Sequence, residues 1–155
     1  MACWPQWAKP GKTRQSSDAP DRSCKGVVAY TTDMDRETFN HWLASYGSAW
    51  TSRDPEAAAL LYADDATYQV TPFDEPLRGR AAIYEYWTGV AKTEEKIQFD
   101  YEILAVTTEH GIARWWASFV RVPPGLETRL DGIFLIVLDS AGRCRSLREW
   151  WQKRQ

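Results

Sequence analysis

The stretch YADDATYQVTPFDEPLRGRAAIYEYW, from Tyr62 to Trp87, changes pattern three times. Ala66 to Thr71 alternates and is rich in β-formers, which predicts a strand, and Pro72, having no N–H for a ladder, stops it. Asp74 to Gly79, DEPLRG, reads as a loop. Gly79 then opens a helix whose Ile83, Tyr86, Trp87 and Val90 share one apolar face.

Both flanks can be read outward from there. Upstream, Asp35 is placed to cap a helix in which Phe39, Trp42, Leu43, Tyr46 and Trp50 form one stripe. In RDPEAAALLY a second, short helix starts, with Asp54 as N-cap, Pro55 where a missing N–H costs nothing, and Glu56 at the positive end of the helix dipole. Downstream, strands are predicted over 97–107, 112–122, 127–138 and 143–151, separated by the turn signals EHG, PPG and DSAG. Helices first and an antiparallel meander second is the order of an α+β domain whose sheet packs on its helices.

Composition excludes several functions. The 19 Lys and Arg are scattered among 21 Asp and Glu, so no basic stripe faces a row of phosphates, and nucleic acid is not an expected partner. No apolar run reaches the roughly 20 residues of a membrane span, and no apolar segment follows the basic residues at the N-terminus, so neither a membrane nor a secretory role is expected. Cys3, Cys24 and Cys144 lack zinc spacing and are odd in number, which fits a reducing cytoplasm. His41 and His110 form no cluster with other ligands, and no GxSxG, P-loop or GxGxxG stands at a strand-to-helix turn; no metal and no cofactor are expected. Residues 1–33 are rich in Pro, Ser and basic side chains without apolar periodicity and read as a disordered tail. Met34, just before the first helix, is read as a candidate true start, leaving 34–155 as the domain.

Over about residues 35 to 152, this order, the Tyr62–Trp87 stretch and the closing DGIFLIVLDSAGRCRSLREWW resemble the SnoaL-like branch of the nuclear transport factor 2-like superfamily. The resemblance implies a cystatin-like cone: three N-terminal helices packed on a strongly curved, mostly antiparallel sheet with an internal pocket. It also implies homodimerisation through the sheet. The superfamily includes ketosteroid isomerase and limonene epoxide hydrolase, and the match to each is partial. Tyr46 and Asp131 fall where the isomerase carries its oxyanion donors, but Val70 falls where it carries its base. Tyr68 and Glu149 match a tyrosine and a carboxylate of the hydrolase, while Trp115, Ala117 and Val70 replace its other catalytic groups.

Strand alternation gives a pocket. If Trp115 faces inward, so do Ala117 and Phe119, while Trp116 and Ser118 face out. The same rule groups Arg129, Asp131 and Ile133 on the next strand, and Leu147, Glu149 and Trp151 on the last. The expected catalytic groups are therefore Glu149 as proton shuttle with Asp131, Tyr46 and Tyr68. The expected lining is Trp50, Val70, Trp87, Trp115, Phe119, Arg129 and Trp151. Two readings of Glu149 are open: a desolvated carboxyl with its pKa raised toward neutrality, or a carboxylate kept ionised by Arg129 or Arg148. Two readings of the whole are open too: a cofactor-free isomerase, cyclase or hydrolase acting on a hydrophobic small molecule, or a non-catalytic ligand-binding or dimerisation module. The outward Trp116 and Trp150 make an apolar patch suited to a second copy of the chain.

Overall fold

The computed structural model describes residues 34–154; the N-terminal segment read as a tail, with the question of its start, lies outside them. The element order is α1 (Arg36–Ser52), α2 (Pro55–Leu60), β1 (Tyr62–Gln69), β2 (Leu77–Arg78), α3 (Gly79–Thr93), β3 (Glu94–Val106), β4 (Gly111–Arg121), β5 (Leu126–Leu138) and β6 (Cys144–Arg154). The fold is α+β, three helices and one curved sheet of six strands in the order β2-β1-β6-β5-β4-β3. Every pairing is antiparallel except that of β1 with β6.

The helix ends obey local chemistry. Asp35 accepts a hydrogen bond from the Thr38 N–H at 2.6 Å, and Asp54 caps α2 through the Glu56 and Ala57 N–H groups. Gly79 has φ +81°, a left-handed conformation that lets the chain turn sharply from β2 into α3. Arg80, the next residue, donates to the Tyr62 carbonyl through Nε (3.0 Å) and a terminal nitrogen (2.7 Å) and pairs with Asp64 at 2.8 Å, tying α3 to β1.

Several boundaries differ from expectation, among them the start of β3 at Glu94 rather than 97 and the end of β6 at Arg154 rather than 151. β1 begins at Tyr62 rather than Ala66, because Tyr62 pairs with Cys144 of β6; the register shifts between Tyr62 and Thr67, a stretch that holds Asp64 and Asp65, residues of low β propensity. Within the loop predicted over 74–79, Leu77 and Arg78 form a two-residue strand against β1.

The face of α1 carrying Phe39, Trp42, Leu43, Tyr46 and Trp50 is buried against the sheet. Tyr46 stands at its centre, its ring 5.2 to 5.5 Å from those of Trp42, Trp87, Phe99 and Phe134. On β4, Trp115, Ala117 and Phe119 are inward and buried while Trp116 is exposed, as alternation predicted.

On β5 the parity is the reverse of that expected. Trp116 lies directly opposite Asp131, and directly paired residues share a face, so the exposed Trp116 takes Asp131 outward with it. Arg129 and Ile133 follow by alternation, and the inward set is Thr128, Leu130, Gly132, Phe134 and Ile136. Gly132 is required by a close approach: a Cβ there meets the Trp150 carbonyl at 2.5 Å and the Trp115 indole at 3.0 Å. Its bare backbone lets Trp115 lie flat on the strand and stack on Phe134 at 5.0 Å.

Gly132→Ala is therefore expected to destabilise the fold by about 1 to 3 kcal/mol through overpacking. Gly89→Ala, on the exposed side of α3 where an added Cβ meets nothing, is expected to stabilise by about 0.5 to 1 kcal/mol through helix propensity. Denaturant midpoints of the two variants measure the contrast.

Candidate functional site

The inner faces of the sheet and the helices enclose a cavity of about 130 Å³, lined by aromatic and aliphatic side chains together with Glu94 and Glu149. Tyr46 and Trp50 come from α1, Tyr86, Trp87 and Val90 from α3, Tyr68 from β1, Trp115 and Phe119 from β4, and Trp151 from β6; Val70 lines it from just beyond β1. Arg121 and Lys153 line it as well and are exposed, so they mark the side on which it meets solvent.

Glu149 lies on β6 between the exposed Arg148 and Trp150, and the strand's pleat turns it inward until only 4% of it is accessible. The Tyr68 hydroxyl donates to its Oε1 at 2.8 Å. Among the described residues, no cation pairs with it. Arg148 points to the outer face, where it donates to Gln69 and lies 5.1 Å over the Trp150 ring, and Arg129 is outward as well. Burial therefore pushes the Glu149 pKa from the usual 4.5 up to about 8, outweighing the opposing effect of the Tyr68 hydrogen bond. At pH 7 Glu149 is mainly a neutral acid. Burial, and next the proximity of Glu149, hold the Tyr46, Tyr68 and Tyr86 hydroxyls above their ordinary 10, so they act as donors and not as bases.

The tryptophans divide into two groups by what their N–H groups do. Those of Trp42 and Trp151 donate to the Leu61 and Val70 carbonyls, and that of Trp50 to a Glu94 carboxylate oxygen. The indole N–H groups of Trp87 and Trp115 are buried and have no hydrogen-bond partner among the described residues. Both residues line the cavity, and a buried donor left unpaired costs about 1 to 3 kcal/mol.

Of the residues expected at a site, Glu149, Tyr46, Tyr68, Trp50, Val70, Trp87, Trp115, Phe119 and Trp151 come together at this cavity. Asp131 and Arg129 do not. Asp131 is 53% exposed on the outer face and is held by Arg114 through a two-pronged ion pair of 2.6 and 3.1 Å, which keeps its carboxyl below its ordinary pKa. The expected set lacked Tyr86, Val90, Glu94, Arg121, Leu130 and Lys153, which also line the cavity. Glu94 opens β3 in the charged run EEK, ahead of the strand predicted from residue 97, and its pairing opposite Arg121 and the hydrogen bond from Trp50 of α1 place it at the cavity. Among the described residues, no three His, Cys, Asp or Glu side chains gather so as to hold a metal ion, and no helix is long and apolar enough to cross a membrane.

The SnoaL-like domain family model matches residues 43–147. The chain belongs to that family. A steroid Δ-isomerase of Nocardioides simplex is 29% identical over 109 residues, covering 70% of this chain and 85% of its own. Among solved structures, SalBIII, described as an epoxide hydrolase/cyclase-like enzyme in pyran ring formation in the polyether salinomycin, superposes with a TM-score of 0.68. It is 17% identical and covers 76% of this chain and 93% of its own, a likeness of fold.

The raised pKa of Glu149 makes a stability prediction. Below pH 4.5 the carboxyl is protonated in both folded and unfolded chains; from there to about pH 8 the unfolded chain gives up the proton while the folded one holds it, so stability falls as pH rises. Glu149→Gln removes this loss. Thermal melts are expected to show the variant more stable than wild type by a few kcal/mol at pH 8, with the gap closing toward pH 4.5.

Proposed function

We propose that the protein is a cofactor-independent enzyme of the isomerase, cyclase or hydrolase type that acts on a small hydrophobic molecule held in the aromatic cavity. The observation that carries this is Glu149, a carboxyl group buried in the cavity with a tyrosine hydroxyl on it and, among the described residues, no cation beside it, so that burial raises its pKa and favours the neutral acid. Such a group gives its proton to a ligand oxygen as negative charge develops there, and the dry surroundings strengthen the interaction. The unpaired N–H groups of Trp87 and Trp115 support the same ligand chemistry, since a carbonyl, ether or epoxide oxygen supplies the acceptor they lack. A cavity of about 130 Å³ matches one ring, because an apolar cavity of about 150 Å³ accommodates benzene. A larger molecule must extend past Arg121 and Lys153.

The isomerase and cyclase-like names of the relatives agree with this reading. The second reading, a non-catalytic binding module, is favoured by Val70, an apolar side chain at a position where the superfamily's enzymes carry a catalytic polar group. A cytoplasmic setting is proposed on the odd number of cysteines and on Cys144, buried with a free thiol. A homodimer through the outer sheet face is proposed on the exposed Trp116 and Trp150. Arginine guanidinium groups lie 5.3 and 5.1 Å over these two rings and cover part of the patch.

A panel of small cyclic ketones, epoxides and phenols tests the function. At least one is expected to raise the melting temperature and quench tryptophan emission, because a ligand of the folded state must stabilise it. Glu149→Gln is expected to lower turnover of that compound by about 10²- to 10⁴-fold while the variant stays folded. Binding with full turnover in Glu149→Gln removes Glu149 from the chemistry, and binding without turnover in wild type favours the second reading. Light scattering at micromolar concentration is expected to give twice the chain mass; a monomer refutes the dimer.

A further inference from the structure

The cavity meets solvent beside Arg121 of β4 and Lys153 of β6, and these two cations are held differently. Glu94, the first residue of β3, is only 5% exposed, and its Oε1 accepts from an Arg121 terminal nitrogen at 3.1 Å. Its Oε2 accepts from the Trp50 indole N–H at 3.0 Å. The Arg121 guanidinium also lies 5.5 Å over the Phe119 ring. The side chain is nevertheless 46% exposed, and among the described residues its remaining N–H groups have no acceptor. A salt bridge that only fastened β3 to β4 would gain little from sinking its carboxylate into the cavity wall, since removing a charge from water offsets the attraction. What the burial does achieve is direction: one edge of the guanidinium is tied down and the rest is left open at the rim.

Lys153 complements it. The pleat that turns Glu149 and Trp151 inward turns Lys153 the same way, opposite Leu130, yet the residue stays exposed. An ammonium therefore stands at the opening and not inside. Among the described residues Lys153 takes part in no ion pair. With Glu94 set against Arg121, the rim keeps a positive charge in excess, while the more deeply buried Glu149 holds its proton.

We propose that this rim is a carboxylate subsite: the ligand's ring enters the aromatic cavity while a carboxylate on it stays at the opening, bound by Arg121 and Lys153, with Glu94 holding Arg121 in position. This rests on the function proposed above and narrows its ligand class to small cyclic or aromatic acids. A cavity of about 130 Å³ takes one ring, so the next atoms of a ligand must pass these two side chains. A carboxylate left at the rim keeps part of its hydration and avoids the cost of burying a charge. The planar guanidinium matches two carboxylate oxygens, and the ammonium adds a point charge on a flexible stem. An ionised Glu149 would repel such a ligand, and the protonated one does not. Arg121 and Lys153 are thus specificity-determining residues and Glu94 a positioning residue.

The test pairs acids with uncharged analogues of the same shape, phenylacetate with phenylacetamide and cyclohexanecarboxylate with its amide, and reads binding by quenching of tryptophan emission. Wild type is expected to bind each acid about 10-fold tighter than its amide at low salt, the ratio shrinking as salt rises. Arg121→Gln is expected to weaken acid binding by about 10-fold and Lys153→Gln by about 2- to 5-fold. Arg121→Lys, which keeps the charge and loses the fork, is expected to fall between wild type and Arg121→Gln, and replaces the latter if it does not fold. Glu94→Gln is expected to lower the ratio of acid to amide affinity and its salt dependence; structural damage alone weakens acid and amide together. Acids that bind no tighter than their amides overturn the subsite and leave the cavity as a site for uncharged rings. A preference for acids that survives undiminished in the Arg121 and Lys153 variants overturns the rim as its source. Neither acid nor amide binding overturns both the subsite and the function proposed above.

Discussion

A carboxyl group taken out of water without a cation must hold its proton, and the interior of this molecule is organised around one such group. Glu149 sits on a strand whose neighbours to either side face solvent, so the pleat alone decides that it points inward. The rest of the cavity lining is aromatic or aliphatic apart from tyrosine hydroxyls, Glu94 and, on the solvent side, Arg121 and Lys153. An arginine in place of one lining tryptophan would return Glu149 to an ordinary acid. The aromatic content therefore sets the chemistry of the carboxyl as well as filling the core, and Tyr46, central in the ring cluster, belongs to both roles.

Much of this was legible in the sequence. Caps at Asp35 and Asp54, the glycine at the start of α3 and the apolar stripe of α1 depend on neighbours within a turn or two, and they stand where the pattern put them. The inward turn of Trp115 and Glu149 followed from alternation along strands with one apolar face. β5 was read in the wrong phase: IFLIVL is apolar on both faces and marks no phase, while Glu127, Arg129 and Asp131, which alternate with Thr128, Leu130 and Gly132 in the first half of the strand, mark the outward face. The pairing of Trp116 with Asp131 agrees with that mark. Glu94 was missed because its burial comes from what lies above it and not from its charged neighbours.

The outer face shows how the same sheet handles aromatic residues that lack a core. Trp116 and Trp150 each lie under a guanidinium from a residue two positions away, and Arg114 is anchored in turn by Asp131. The cation is attracted to the ring face, and its methylene stem covers apolar surface. Asp131 thus helps to order this face.

The parallel pairing of β1 with β6 brings together residues far apart in the chain: Tyr68 and Glu149, joined by a hydrogen bond, are 81 positions apart. Closing so long a segment costs more entropy than forming any of the hairpins between β3 and β6, so this pairing belongs late in folding. During synthesis Tyr68 leaves the ribosome long before its partner exists. Glu149 is not in place until nearly the whole domain has emerged, so the step that completes the sheet also delivers its buried carboxyl, and a partly folded chain carries the aromatic residues without it.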